Sequence, residues 1–330
     1  MHTRPWGHQI VWLMALVGWL GAAAAQNVPA NTERSAVQWL QAIQNAARRL
    51  SYSGTVVQQI EGDVRVLRLV HYFDGHVSHA RLHMLDGEQR EFIRRADEVQ
   101  CLIPSARRVV IERRPFATGF PALSAASAEE ILQNYRLQIG PVDRVIDLEC
   151  QVLMLNPRDA LRYGYRLWVA RDSGLLLRAQ MLDERGHVVE QVAFTEVRIG
   201  EPIDRAQLKP SWSTEGWHVE RIDARAVPIE RLGWTLAVPE GFRPLSASWR
   251  RLARAGGGEA MQAVYSDGLA TLSVFIETAR EALPSGAGIA RGSTHAFVRR
   301  VGDTLITVVG EVPPATVRKV ALSAEARPSR

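Results

Sequence analysis

An α+β fold made mostly of antiparallel sheet is predicted by three features of this 330-residue chain. Short runs rich in β-branched residues follow one another along most of its length. Asp-Gly and related turn residues separate them, a strong hairpin signal because a tight turn requires positive φ. Helical spacing is confined to a first stretch over Ser35–Leu50, a short insert after Ser127 and a last segment near Val317. One long series of hairpins with a single helical insert excludes an alternating parallel α/β architecture. The expected large unit is therefore a strongly curved antiparallel sheet with helices over one face.

The chain opens with Arg4 as its sole formal charge before Glu33. An apolar run from Ile10 to Leu20 follows, and then the small residues Gly21 to Ala25 ahead of Gln26. A charged start, a short apolar stretch and an A-x-A site form the layout of a cleaved signal peptide, assigned to 1–25. The run is too short for a spanning helix. The remainder is long enough for two domains. The full chain's formal charge of +5 is carried almost wholly by arginine, with Lys209 and Lys319 as the lysines. No basic run is interleaved with aromatics, so no nucleic-acid partner is expected.

From Ser35 to Leu50 the apolar residues Val37, Leu40, Ile43, Ala47 and Leu50 recur every three or four positions, and Trp39 widens the stripe. This helix should be capped at Asn31 or Thr32 and lie against a sheet. Strands are predicted over Tyr52–Ile60, Val64–Phe73, Val77–Leu85, Gln89–Arg95, Glu98–Ile103 and Val109–Glu112. The segment Pro115–Ser127 breaks the pattern with Phe116, Phe120 and Leu123 among glycine, proline and small residues, a candidate lid. Ser127 with Glu130 forms a capping box for a short helix continuing through Ile131, Leu132 and Tyr135. Further strands follow at Val142–Asp147, Glu149–Asn156, Tyr165–Ala170, Leu175–Leu182 and Val188–Val197. A proline-rich stretch then marks a linker, 211–231. A smaller unit over 232–324 carries strands such as Ala260–Tyr265 and Leu272–Glu277, with a last helix after Pro313-Pro314 and a tail over 325–330.

Cys101 and Cys150 are the two cysteines. In an exported chain an even pair predicts a bridge, with two buried thiols as the alternative. No nucleophile elbow, zinc helix or phosphate loop occurs, so neither an enzyme nor a cofactor is expected. The histidines His71, His76, His79 and His83 are the densest ligand cluster. With Asp74-Gly75 as a two-residue turn, Phe73 would face His76 and His71 would face Ser78. Alternation then sends His71 and His76 to one face and His79 and His83 to the other, so no closed metal site is expected.

The positive signal is a binding surface. Trp39, Leu132, Tyr135, Leu153, Leu155, Leu167, Val169 and Leu176 are candidates to line an apolar space between sheet and helices, or else to fill a packed core.

Several phrases carry a resemblance. Tyr165-Arg166-Leu167-Trp168-Val169, Asp172-Ser173-Gly174-Leu175 and Leu182-Asp183-Glu184-Arg185-Gly186 resemble the sheet of the MucB/RseB family, which is itself similar to the half-barrel of LolA-like lipoprotein carriers. Val238-Pro239-Glu240-Gly241-Phe242, Ala263 to Leu269, Leu272 to Phe275 and Ile306 to Pro314 resemble the family's small domain. The resemblance implies a LolA-like, lipid-sensing domain over 26–210 and a small domain over 232–324 that binds an anti-sigma factor. It implies a periplasmic regulator that holds the periplasmic part of a membrane-spanning anti-sigma factor and shields it from regulated proteolysis. Acyl-chain signals, from lipopolysaccharide or misplaced lipoprotein, would release it. Tyr265, Ser266, Asp267 and Gly268, with Gly310, Glu311, Pro313 and Pro314, are carried over as partner-surface candidates. A lipid or lipoprotein carrier is the alternative, and self-association is left open.

Overall fold

In the computed structural model the alternating runs assemble into one long open sheet. Residues 34–113, 126–222, 224–251, 258–278, 286 and 288–327 are described. Helix α1 (Ala36–Arg49) leads into the strands β1 (Tyr52–Ile60), β2 (Asp63–Phe73), β3 (Ser78–Met84), β4 (Glu91–Arg95), β5 (Glu98–Ile103) and β6 (Arg108–Arg113). After α2 (Ala128–Asn134) come β7 (Tyr135–Val145), β8 (Leu148–Pro157), β9 (Gly164–Ala170), β10 (Leu176–Leu182), β11 (Val188–Ile199) and β12 (His218–Ile222). These form a 12-stranded sheet in the order β12-β6-β5-β4-β3-β2-β1-β11-β10-β9-β8-β7. The sheet does not close on itself, because β12 and β7 stand at opposite edges. Its pairs are antiparallel except β12, which runs parallel to β6.

The second sheet uses β13 (Arg225–Ala226), β15 (Arg243–Arg251), β16 (Glu259–Ser266), β17 (Thr271–Thr278), β18 (Gly288–Arg291), β19 (Thr294–Val301) and β20 (Thr304–Glu311). Its order is β13-β15-β16-β17-β20-β19-β18. The short pair β14 (Trp234–Thr235) and β21 (Glu325–Ala326) adds a ribbon. Helix α3 (Pro314–Leu322) packs on this sheet through Val317, Val320 and Ala321 against Val308, Leu272 and their neighbours. From Arg34 onward the chain forms one compact unit. The span expected as a linker supplies β12 to the large sheet and β13 to the small one.

The apolar stripe of α1 buries Trp39, Leu40, Ile43 and Ala46. Its cap is Ser35, not Asn31 or Thr32: Gln38 N–H donates to the Ser35 hydroxyl at 3.3 Å and the Gln38 side chain accepts from Ser35 N–H at 2.7 Å. That reciprocal pair satisfies two donors at once, which a lone upstream side chain cannot do. The Ser127–Glu130 box is present as expected. The helix it opens stops at Asn134, and Tyr135 begins a strand that starts earlier than the expected Val142. Alternation was masked there because β7 is an edge strand with many exposed positions.

The β2–β3 turn differs from expectation. Phe73 faces Ser78 and His71 faces Ala80. Asp74 accepts from the N–H groups of His76 and Val77 at 2.9 and 2.7 Å, which closes a wider loop than a two-residue turn. Asp side chains form such local turns readily. The two-residue shift preserves parity, so His71 and His79 still point to opposite faces.

The outer face of β3–β6 is covered by the chain between β11 and β12. Glu91, wholly buried, pairs with Arg81 and accepts from Ser211 N–H at 3.0 Å. Trp212 and Trp217 pack on Leu102, Val109 and Ile111 beside it. The anchored carboxylate thus holds a long connection down with few regular backbone pairs.

The expected disulfide is not formed. Cys101 lies on β5 and Cys150 on β8, and seven strands separate them in the sheet. At about 4.8 Å per strand they are far beyond bridging distance. Burial pushes the Cys150 thiol up to about 11. Denatured protein should titrate two thiols per chain without reductant, and reductant should leave Tm unchanged.

Candidate functional site

Two features of the inner face, the one under α1 and α2, define the site. The first is a closed apolar cluster. Trp39, Tyr135, Leu153, Leu155, Leu167 and Val169 meet in it, and Leu132 and Leu176 pack against it. All eight residues picked from the sequence as lining an apolar space are therefore brought together. A further member comes from the small sheet: Leu269, from the turn between β16 and β17, is buried in this cluster of the large sheet.

The polar group beside it explains how that turn is held. Asp267 and Arg162 are only 2% and 4% exposed. Arg162 Nη1 donates to Asp267 Oδ2 at 2.9 Å, and the Tyr135 hydroxyl donates to the same oxygen at 3.0 Å. Asp267 Oδ1 accepts from the N–H groups of Leu269 and Ala270 at 2.9 and 2.8 Å. Arg162 also reaches Asp159 and the Glu240 carbonyl, and it lies over the rings of Tyr135 and Phe242. Burying an ion pair costs several kcal/mol per charge unless its remaining donors and acceptors are filled, as they are here. Burial and the Asp267 charge hold the Tyr135 phenol well above its ordinary value, so it stays a donor.

Gly268 adds a steric condition. Its φ is +100°, and a Cβ there would come within 2.6 Å of Ala126 and 2.9 Å of Ile131. Further ties between the sheets run from the Ser293 hydroxyl to Glu190 at 2.7 Å, from the Thr316 hydroxyl to the Leu161 carbonyl at 2.8 Å, and from Arg250 to Glu112 at 3.4 Å.

The second feature lies farther along the same face. Cross-strand pairing places Gly54, Leu69, Leu82, Phe92, Cys101 and Val110 in one row, on β1 to β6 in turn. Leu69, Leu82, Phe92 and Val110 are only partly buried. The next row contains Tyr52, His71, Ala80, Arg94, Val99 and Glu112. This half-open apolar strip was missed from the sequence. Alternation in Val64–Phe73 does put Leu67, Leu69 and His71 on one face, but which face carries the helices is a matter of register.

Tyr265, Ser266 and Asp267, expected on a partner surface, are buried, and Asp267 and Gly268 are turned against the large sheet. The reason is the ion pair with Arg162, whose position 105 residues upstream gave no sequence signal. Gly310 is buried, whereas Glu311 and Pro314 are exposed and Pro313 is partly so. Phe116, Phe120 and Leu123, the lid candidates, lie outside the described residues, as does the 1–25 segment. Among the described residues no group of three or more His, Cys, Asp or Glu is placed to hold a metal. No helix among them is long and apolar enough to cross a membrane.

The division into two sheets matches known proteins segment by segment. Residues 35–212 match the model of the MucB/RseB N-terminal domain, and residues 228–325 match that of the MucB/RseB C-terminal domain. The chain belongs to the MucB/RseB family. A sigma factor AlgU regulatory protein MucB from Pseudomonas aeruginosa is 31% identical, over 94% of this chain and 96% of that protein. A sigma-E factor regulatory protein RseB from Salmonella typhimurium is 28% identical, over 87% of this chain and 90% of the relative. A crystal structure of MucB in complex with MucA(peri) superposes with a TM-score of 0.71 at 28% identity, covering 89% of this chain and 100% of that one. In this MucB/RseB chain the Asp267 turn joins the parts matched by the two family models.

Two measurements test the site. Asp267→Asn keeps the Oδ1 contacts and leaves Arg162 with Asp159, and should cost about 1–3 kcal/mol in urea unfolding. Adding Arg162→Met should recover most of that loss, and a non-recovering double variant would show that the pair does not act as a unit. The second concerns His71, which is 2% exposed, with Nδ1 2.8 Å from the Leu50 carbonyl. Burial lowers its pKa from the ordinary value. The unfolded chain then takes up a proton as pH falls through about 6.5 while the folded chain resists, so this contribution to stability is lost on acidification. The drop in Tm between pH 7.5 and 5.5 should shrink in His71→Asn.

Proposed function

We propose that this chain is a periplasmic negative regulator of envelope-stress signalling that binds the periplasmic part of a membrane-spanning anti-sigma factor. It shields that partner from regulated proteolysis and lets go when an acyl chain, from lipopolysaccharide or mislocalised lipoprotein, occupies the inner face. The 1–25 segment directs export and is removed in the process. The observation that carries the reading is the match along the chain: residues 35–212 and 228–325 correspond to the two MucB/RseB domains, and MucB as found with MucA(peri) covers 89% of the chain at a TM-score of 0.71.

The inner face supports the ligand part of this reading. A half-open strip of Leu69, Leu82, Phe92 and Val110 lies on the same face as the cluster closed by Leu269, and Leu69 packs on a second cluster that includes Ala46, Val56 and Phe194. An acyl chain that advances from the strip into the cluster competes with Leu269 for the same apolar surface. Such a ligand is bound better by a chain whose sheets have parted, and it shifts the population that way. In the closed arrangement Glu311, Pro313 and Pro314 remain the candidates for partner contact. Parting of the sheets would add the Asp267 turn.

Calorimetric titration of the chain from Gln26 with the periplasmic segment of the anti-sigma factor of the same genome tests this. Saturable binding that weakens several-fold on adding lipopolysaccharide or a lipopeptide is expected. Absence of binding by folded protein would overturn the regulator. If the same protein then extracted lipoprotein from membranes stoichiometrically, the half-open strip would belong to a carrier.

A further inference from the structure

The two sheets are fastened at a second place, and its charges differ from those of the Asp267 turn. Glu190 on β11 pairs with Ile60 at the end of β1. The tip of the β18–β19 hairpin meets Ile60 there, and Gly292, at φ +59°, has no room for a Cβ against it. The next residue, Ser293, is 1% exposed and donates from its hydroxyl to Glu190 Oε2 at 2.7 Å. Thr294 then pairs with Glu311 on β20. One serine is thus flanked by Glu190 of the large sheet and Glu311 of the small one.

Glu190 is 6% exposed, yet the donors to its carboxylate are neutral: Gln58 Nε2 donates to Oε1 at 2.9 Å, and Ser293 to Oε2. Among the described residues neither glutamate forms an ion pair, although Arg65 stands opposite Gln58 on β2 and Arg291 pairs with Asp63 at 3.9 Å. On β10 the residue opposite Glu190 is the apolar Met181. Tyr165 on β9 lies within reach of Glu190, Glu311 and Asp267, with Tyr163 beside it. Burial and those charges hold the Tyr165 phenol well above its ordinary value, so it brings no compensating charge. His295 on β19 turns its Nδ1 to the Val312 carbonyl at 2.9 Å. Glu311 keeps an edge in solvent, but the enclosure around it, and then the Glu190 charge, hold its carboxyl above the ordinary value. Two carboxylates brought together resist ionising together, and parting them removes the conflict.

We propose that Glu190 and Glu311 make the Ser293 contact a proton-operated clasp: the docked hairpin tip takes up a proton, so acid fastens the small sheet to the large one and a rise in pH loosens it. By linkage, a carboxyl that holds its proton more tightly only in the docked state adds stability that is complete below the ordinary glutamate value of 4.5. That stability is lost as pH rises through the docked value. The clasp goes beyond the acyl-chain reading and needs neither ligand nor partner, so failure of the titrations above would leave it untouched.

Amide hydrogen exchange on the chain from Gln26, corrected for the intrinsic effect of pH on exchange, tests it. Residues 58–60 and 292–294 report the clasp, and 269–270 with strands β16 and β17 serve as references. Relative to the references, protection of the clasp should rise several-fold from pH 7.5 to pH 5.0. Glu311→Gln and Glu190→Gln should each show the acid level of protection at both pH values, because a neutral amide ends the repulsion and, at position 190, still accepts from Ser293. His295→Gln should keep the wild-type response. Comparison with the variants also removes groups such as His71 that titrate elsewhere. Wild-type protection that does not change with pH, or a full response retained in Glu311→Gln, overturns the clasp. Loss of the response in His295→Gln alone overturns the assignment to the glutamates. Should Glu190→Gln fail to fold, Glu311→Gln, at an exposed position, decides the matter.

Discussion

The carboxylate of Asp267 is the constraint on which the joined arrangement of the two sheets depends. It sits on a turn of the small sheet, yet its partners Arg162 and Tyr135 belong to the large one. Asp267 would not tolerate the interior without Arg162, whereas Arg162 also holds Asp159 at 3.0 Å. The pair therefore specifies a single docking geometry. Gly268 and Leu269 then follow of necessity: the glycine lets the backbone approach Ala126 and Ile131, and the leucine enters the cluster beneath α1 and α2.

That arrangement makes one face serve two ends. Toward β7–β10 the inner face is closed by helices and by Leu269. Toward β2–β6 it is apolar but partly open, with Arg94 and His71 at its margin. The closed and open regions lie on one face of the same hydrogen-bonded sheet. The outer face is closed differently, by an extended connection fixed to the buried Glu91.

Much of the architecture was legible in residue patterns. Asp-Gly turns marked hairpins, alternation marked β1 to β6, and the Ser127–Glu130 box marked α2, because each depends on neighbours within a few positions. The eight residues chosen for the inner cluster do converge, since apolar alternation in successive strands must bury somewhere. Errors arose where a local signal had rivals. Ser35 outbid Asn31 and Thr32 as the cap through its reciprocal bond with Gln38, and Asp74 widened a turn that its dipeptide suggested was tight.

By itself the sequence determined the class of fold and the membership of a regulatory family, because hydrophobic period, turn chemistry and motif phrases are local properties. Which strands lie between Cys101 and Cys150, and where the Asp267 turn docks, were decided only in three dimensions. Those outcomes depend on sheet order and register, which bring residues a hundred or more positions apart to within a hydrogen bond. A pair such as Arg162 and Asp267 has no spacing rule, and its meaning comes from the burial that only the packed structure supplies.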